Sequence, residues 1–325
     1  MISGTTLSLS ICTAAILGLF SCNDQTKPTK KDVHKENIDS TSKLSFDSSM
    51  VSFEAYSGNP LFSGTGGHTW DQKIRERGFI LYEDSIFKMW YTGYIGTEDH
   101  AKSLGYATSK DGITWNRYDK NPIFKEKWTE DINVVKNEGV YYMFAEGKND
   151  VAHLLMSKDG LKWKEQGDLV IQKTNGDTIS GPYGTPAAFV ENGKWYLYYE
   201  RNDEAIWLAT SNDRLHWKNL DDQPVIQAGP DKYDIGAIAA DQVIKHEGKY
   251  YLYYHASSDP GWATAAGASS PWSSNVAISA DLIHWTKFPN NPLVLGDHSS
   301  PITVFDGKKN RLYTMHPQVC LYFGK

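Results

Sequence analysis

The chain has 325 residues, 40% of them hydrophobic and 22% charged, which is enough apolar material for one large globular domain or two modest ones. A formal net charge of -6, with no Lys/Arg block in the globular part, excludes the basic stripe that a phosphate backbone needs, so no nucleic acid partner is expected. Of three cysteines, Cys12, Cys22 and Cys320, two lie at the extreme N-terminus, which excludes a disulfide framework.

In chain order, the first element is an apolar run from Leu7 to Phe20, of signal-peptide length and too short to span a bilayer comfortably. Next comes Leu19-Phe20-Ser21-Cys22, which places a small residue before Cys and resembles the lipobox of bacterial lipoproteins; the preceding residues 1–6 carry no Lys or Arg. The resemblance implies a signal peptide over 1–22 and lipidation of Cys22. The protein would then be exported and anchored, facing the periplasm or cell surface of a bacterium; an ordinary secretory signal is the alternative. Residues 23–50 are polar and mixed in charge, and are expected to form a disordered tether. On this reading the membrane is met only through the lipid anchor, and residues 51–325 form a monomeric domain.

Within that domain, pairs of extended segments recur. RGFILY (Arg77 to Tyr82) precedes FKMWYTG, INVVK precedes VYYMFAEG, PAAFV precedes KWYLYYER, DQVIK precedes KYYLYYHA, and SPITVF precedes RLYTMH. The segments are rich in β-branched and aromatic residues, and the turns between them contain glycine in the second, third and fourth pairs, so each pair predicts a β-hairpin. After the first four pairs comes a common tag: SKDGITW (Ser109 to Trp115), SKDGLKW (Ser157 to Trp163), SNDRLHW (Ser211 to Trp217) and SADLIHW (Ser279 to Trp285). Repeats roughly 50 residues apart are propeller-blade length. The chain is therefore expected to be all-β, a five-bladed β-propeller of four-stranded antiparallel blades. An N-terminal segment near Val51 to Phe62 would close the ring by supplying outer strands to the last blade. In each tag, Ser and Asp can bond backbone N–H groups across a tight turn while Trp packs between blades. Asp111, Asp159, Asp213 and Asp281 are thus turn carboxylates rather than catalytic ones.

SADLIHW and SNDRLHW, with the tags NPLF (Asn59), NPIF (Asn121), NPLV (Asn291) and QPVI (Gln223), resemble the hairpins of the five-bladed glycoside hydrolases, the broad group of families 32, 43, 68, 117 and 130. The similarity runs from about Asn59 to Phe323. It implies cleavage of glycosidic bonds and a carbohydrate substrate.

In a propeller, polar groups at one mouth of the channel converge. The starts of the inner strands carry Arg75-Glu76-Arg77, Glu130-Asp131, Tyr183-Gly184-Thr185, Ala240-Asp241 and Asp297-His298; the ends of the next strands carry Thr92, Glu146, Glu200, His255 and His316. Antiparallel pairing puts both columns at one mouth. Glycosidic cleavage needs a protonated carboxyl for the leaving oxygen and an ionised one to activate water or attack carbon; carboxyls across a channel suit inversion. By resemblance, Glu76 (or Asp71) is the base, Asp131 a pKa-modulating carboxylate and Glu200 the acid, with Asp241 a further catalytic candidate. Substrate-binding candidates are Asp71, Arg75, Arg77, Glu146, Arg201, His255, Trp262, His298 and His316. The arginines suit a carboxylate or sulfate on the substrate. No His or Cys spacing predicts a metal, and no cofactor is implied. Two alternatives stand beside hydrolysis: a phosphorolytic enzyme resembling family 130, and a non-catalytic glycan-binding propeller.

Overall fold

A computed structural model describes residues 44–75, 77–97, 100–264 and 271–325. Residues 1–43, which contain the predicted signal peptide, Cys22 and most of the predicted tether, lie outside the described residues, as does Glu76. The described chain is built of five antiparallel sheets in sequence order, the blades of a propeller. Blade 2 shows the plan. Glu130–Asn137, Val140–Gly147, Val151–Ser157 and Lys164–Asp168 pair in succession from the channel to the rim. Blade 4 (Ala237–His246, Lys249–Ser257, Trp272–Ser279, Trp285–Lys287) repeats it. Blades 1 and 3 carry short additional strands: Lys73–Ile74 pairs with Ile86–Tyr94, and Val170–Gln172 runs parallel to His216–Asn219.

Two-residue turns join the first two strands of blades 1 to 4. Their central residues all have positive φ: Asp84-Ser85, Glu138-Gly139, Asn192-Gly193 and Glu247-Gly248. This is the turn whose twist matches that of a hairpin. The ring closes as expected, because Phe53–Ala55 pairs with Cys320–Gly324 at the edge of blade 5. The packed domain begins earlier than residue 51, however. Asp47 caps the short helix Ser48–Val51 by accepting the Ser49 N–H (2.8 Å), and Met50 is wholly buried against blades 4 and 5.

The four S-x-D tags share one geometry. In the first, Asp111 Oδ1 accepts the N–H groups of Ile113 (2.8 Å) and Thr114 (2.7 Å), and Ser109 Oγ accepts that of Gly112 (2.8 Å). Asp159, Asp213 and Asp281 repeat the pattern. Each tag Trp meets an aromatic ring of the preceding blade edge to face: Trp163 meets Trp90, Trp217 meets Phe144, Trp285 meets Tyr198, and Trp115 closes the circle on Tyr313. The Asn-Pro tags act as a further strand. Asn121 exchanges two bonds with the backbone of Tyr106, Asn59 does so with Leu321, and Asn291 with Val276.

Candidate active site

Three inner strands open on a bulge, with pairing that skips between Glu130 and Asn133, between Gly184 and Ala187, and between Ala240 and Gln242. Asp131 and Thr185 occupy bulges with φ of 44° and 43°, and Asp241 holds the matching place in blade 4. An extra residue of this kind re-aims a side chain. Register brings the two predicted columns to one level, since Glu130 pairs with Glu146, Gly184 with Glu200, Ala239 with His255 and Ser299 with His316. They surround a cavity of about 470 Å³.

Its chemical centre is Gly184. The Thr185 N–H donates to Glu146 Oε2 (2.7 Å), the Gly184 N–H to Glu200 Oε1 (2.9 Å), and the Asp203 N–H to Glu200 Oε2 (2.7 Å). A Cβ at position 184 would lie 2.2 Å from Glu146 Oε2 and 2.5 Å from Glu200 Oε1, so both carboxyls bracket one α-carbon and only glycine leaves room. Burial pushes Glu146 well above the usual carboxylate range, and Asp131 and Glu130 add to the shift. Burial also raises Glu200; the Asp203 N–H opposes this and the Asp150 carboxylate adds to it, leaving the group at about 7. Asp203 is driven well above the usual range by burial and by Glu200. The cluster therefore retains protons at neutral pH.

His255 supplies the opposite charge. Burial disfavours its cation, but Asp241, whose Oδ1 is 2.9 Å from Nδ1, outweighs this and raises the imidazole to about 9. Trp272 stands edge to face against His255 (5.3 Å) and against Trp262 (5.3 Å), which forms an aromatic wall beside the cavity.

The cavity gathers Arg75, Asp131, Glu146, Glu200, His255, Trp262 and His316 from the predicted set. Four other candidates lie elsewhere, and Asp241 sits beneath. Arg77 is wholly buried: it donates to the carbonyls of Ile132 (3.1 Å), Ala240 (2.6 Å), Pro186 (2.7 Å) and Asp131, and stands 3.6 Å from Asp241. It ties blades 2, 3 and 4 together across the channel and is not placed to touch substrate. Asp241 is also wholly buried and does not line the cavity; it meets the cavity lining through the His255 ring. Asp71 accepts from Arg117 (2.9 Å), Tyr91 (3.1 Å) and Thr69 (2.9 Å), a structural knot in blade 1. Arg201 leaves the cavity after Glu200, and His298 turns its ring toward Tyr322 (6.3 Å).

Sequence reasoning missed Asp150, Asp203 and Trp272, which all line the cavity. A signal for the first two was present. Asn149-Asp150 follows Glu146, and Asn202-Asp203 follows Glu200; both pairs have positive φ at both residues, a tight turn that returns a carboxylate to the mouth. Among the described residues, the one His/carboxylate group close enough to share a metal ion, Asp47, His246 and Glu247, lies at the opposite end of the blade 4 inner strand.

No family model matches the chain. It is 28% identical over 229 residues to a 1,2-beta-oligomannan phosphorylase from Thermoanaerobacter sp. (strain X514), covering 65% of this chain and 73% of that protein. Its fold is similar to that of a glycosyl hydrolase from Bacteroides ovatus (TM-score 0.69, 18% identity, 84% of this chain and 93% of the other). It is also similar to a beta-1,2-mannobiose phosphorylase from Listeria innocua (TM-score 0.63, 15% identity, 84% and 96%). In sequence and fold together the chain is similar to the broad group of five-bladed β-propeller glycoside hydrolases and their phosphorylase relatives, with no individual family assigned.

Proposed function

We propose that this glycoside-active enzyme hydrolyses glycosidic bonds in oligo- or polysaccharide fragments by paired-carboxyl acid/base catalysis. The observation that carries the reading is the convergence of Glu146 and Glu200 on Gly184 inside a carboxyl-lined cavity, with Glu200 near pH 7. Glu200 donates its proton to the leaving oxygen as the bond to the anomeric carbon breaks. A water loses its proton to an ionised base and its oxygen attacks that carbon from the opposite face, inverting the configuration. Glu76 is the base by resemblance. Asp131 accepts the Arg77 N–H (2.9 Å), and its charge discourages ionisation of Glu146 and Asp203, as a modulator should. Export and lipid anchoring at Cys22 belong to the same proposal.

Phosphorolysis is the second reading, supported by the similarity to a phosphorylase over 65% of the chain. Hydrolysis is favoured because six carboxyl groups (Glu130, Asp131, Glu146, Asp150, Glu200 and Asp203) line the cavity against Arg75, His255 and His316, and the charges of Asp131, Glu130 and Asp150 that hold the proton on Glu146 also oppose a phosphate dianion. Turnover of plant, algal and host oligosaccharides in phosphate-free buffer, with product anomers followed by NMR, tests the choice. Free reducing sugar without phosphate is expected. A strict phosphate requirement with sugar 1-phosphate as product overturns hydrolysis, and binding without turnover under either condition leaves a glycan-binding propeller.

A further inference from the structure

A second cavity of about 460 Å³ adjoins the first and shares Arg75, Trp272 and His316 with it. Each volume falls within the range of about 300–1,000 Å³ that holds a small organic ligand, so the two form one cleft with room for more than one sugar residue. Their charges are opposite in character. The first is dominated by carboxyl groups, whereas the second presents Lys73 and Arg75, with His316, and its one acidic lining residue among the described residues is Asp297. Asp297 is already engaged, since its Oδ1 accepts the Trp272 N–H (3.3 Å). Lys73 is exposed on the short strand Lys73–Ile74, with its ammonium 5.9 Å from the ring centre of Tyr94, and forms no ion pair among the described residues.

We propose that this second cavity is a substrate subsite for a sugar residue bearing a carboxylate or sulfate, adjoining the residue cleaved at the carboxyl cluster. The inference rests on the glycoside-cleaving reading. A neutral sugar draws nothing from a fixed ammonium beyond a hydrogen bond, while an anionic one gains a charge-assisted contact and the orientation it imposes. Lys73 and Arg75 lie beside the cleavage site and draw an acidic oligosaccharide into the cleft with its charged residue away from Asp131, Glu130 and Asp150, whose charges would repel it.

The test uses uronic-acid-containing oligosaccharides and their carboxyl-reduced counterparts of equal length, with the full chain and its Lys73→Ala variant. The expected result is a kcat/KM for the acidic member of the pair at least about tenfold higher, an advantage lost in Lys73→Ala and weakened by salt, with the neutral member losing much less on the substitution. Equal turnover of both members by the unmodified protein, or equal losses on both in the variant, overturns the subsite. If no oligosaccharide is turned over, the catalytic reading fails separately, and calorimetric binding of the same pairs reads the subsite by the same criterion. Inorganic phosphate is the control: a Lys73-dependent phosphate requirement for turnover assigns the cavity to the free anion and overturns the proposal.

Discussion

The two ends of a blade treat the same chemical group in opposite ways. At the rim, burial is the largest single influence on Asp111 and opposes its ionisation, but the N–H groups of Thr114 and Ile113 with the Ser109 hydroxyl together outweigh it and lower the carboxyl to about 2. At the mouth, Glu200 also accepts two backbone N–H bonds, yet burial and the nearby Asp150 carboxylate leave it at about 7. The number of backbone donors is the same; the Ser109 hydroxyl adds one more at the rim, and the rest of the difference lies in water access and in the Asp150 charge at the mouth. The rim carboxylate is a fastener, and the mouth carboxyl keeps a proton it can give away.

The pH dependences should therefore run in opposite directions. Asp111 contributes stability above its ordinary value of 3.8, and that contribution is lost as pH falls through about 2. Glu200 stays protonated in the fold between 4.5 and about 7 while the unfolded chain is ionised, so its contribution declines as pH rises through that window.

The largest effect that would break the contrast is expected for Glu200→Gln. It should lower kcat by about 10²–10⁴-fold and abolish the fall in activity as pH rises through about 7, with much smaller loss on a dinitrophenyl glycoside, whose leaving group needs no proton. A uniform loss on both substrates would remove Glu200 from the acid role. Next is Gly184→Ala. Its Cβ would displace Glu146 and Glu200 together, which should cost activity about 10²-fold while stability falls by about 1–3 kcal/mol. Activity within a factor of two of the parent would mean that the two carboxyls do not act from this position. The smallest effect is at the rim: Asp281→Ala strips the acceptor from Ile283 and His284 and should lower the urea-derived stability by about 1 kcal/mol, the worth of a lost capping side chain, with kcat unchanged. A kcat loss there larger than the stability loss would show that rim and mouth are not independent.

Much of this contrast was legible before the fold. The recurring S-x-D-x-x-x-W marked the rim because a turn solved once by Ser and Asp is solved the same way in every blade, and the non-recurring residues at the other strand ends pointed to the mouth. Asp150 and Asp203 escaped because Asn-Asp after a strand also marks any tight turn, and nothing local says that the turn faces a cavity. Trp272 escaped because its neighbour His255 lies on another strand.

The sequence by itself determined the blade count, the fasteners, the closing strand and the set of strand ends from which Asp131, Glu146 and Glu200 come, since these follow from local patterning and turn chemistry repeated at a fixed spacing. Only the tertiary structure decided which member of a like pair does what. Arg75 and Arg77 flank the same residue, yet one lines the cavity and the other spans the channel; Asp131 and Asp241 share a bulge position, yet one meets the cavity and the other lies beneath His255. Those assignments depend on what the neighbouring blades place within a few ångströms, and burial and Coulomb interactions at that range are set by ring closure rather than by local sequence.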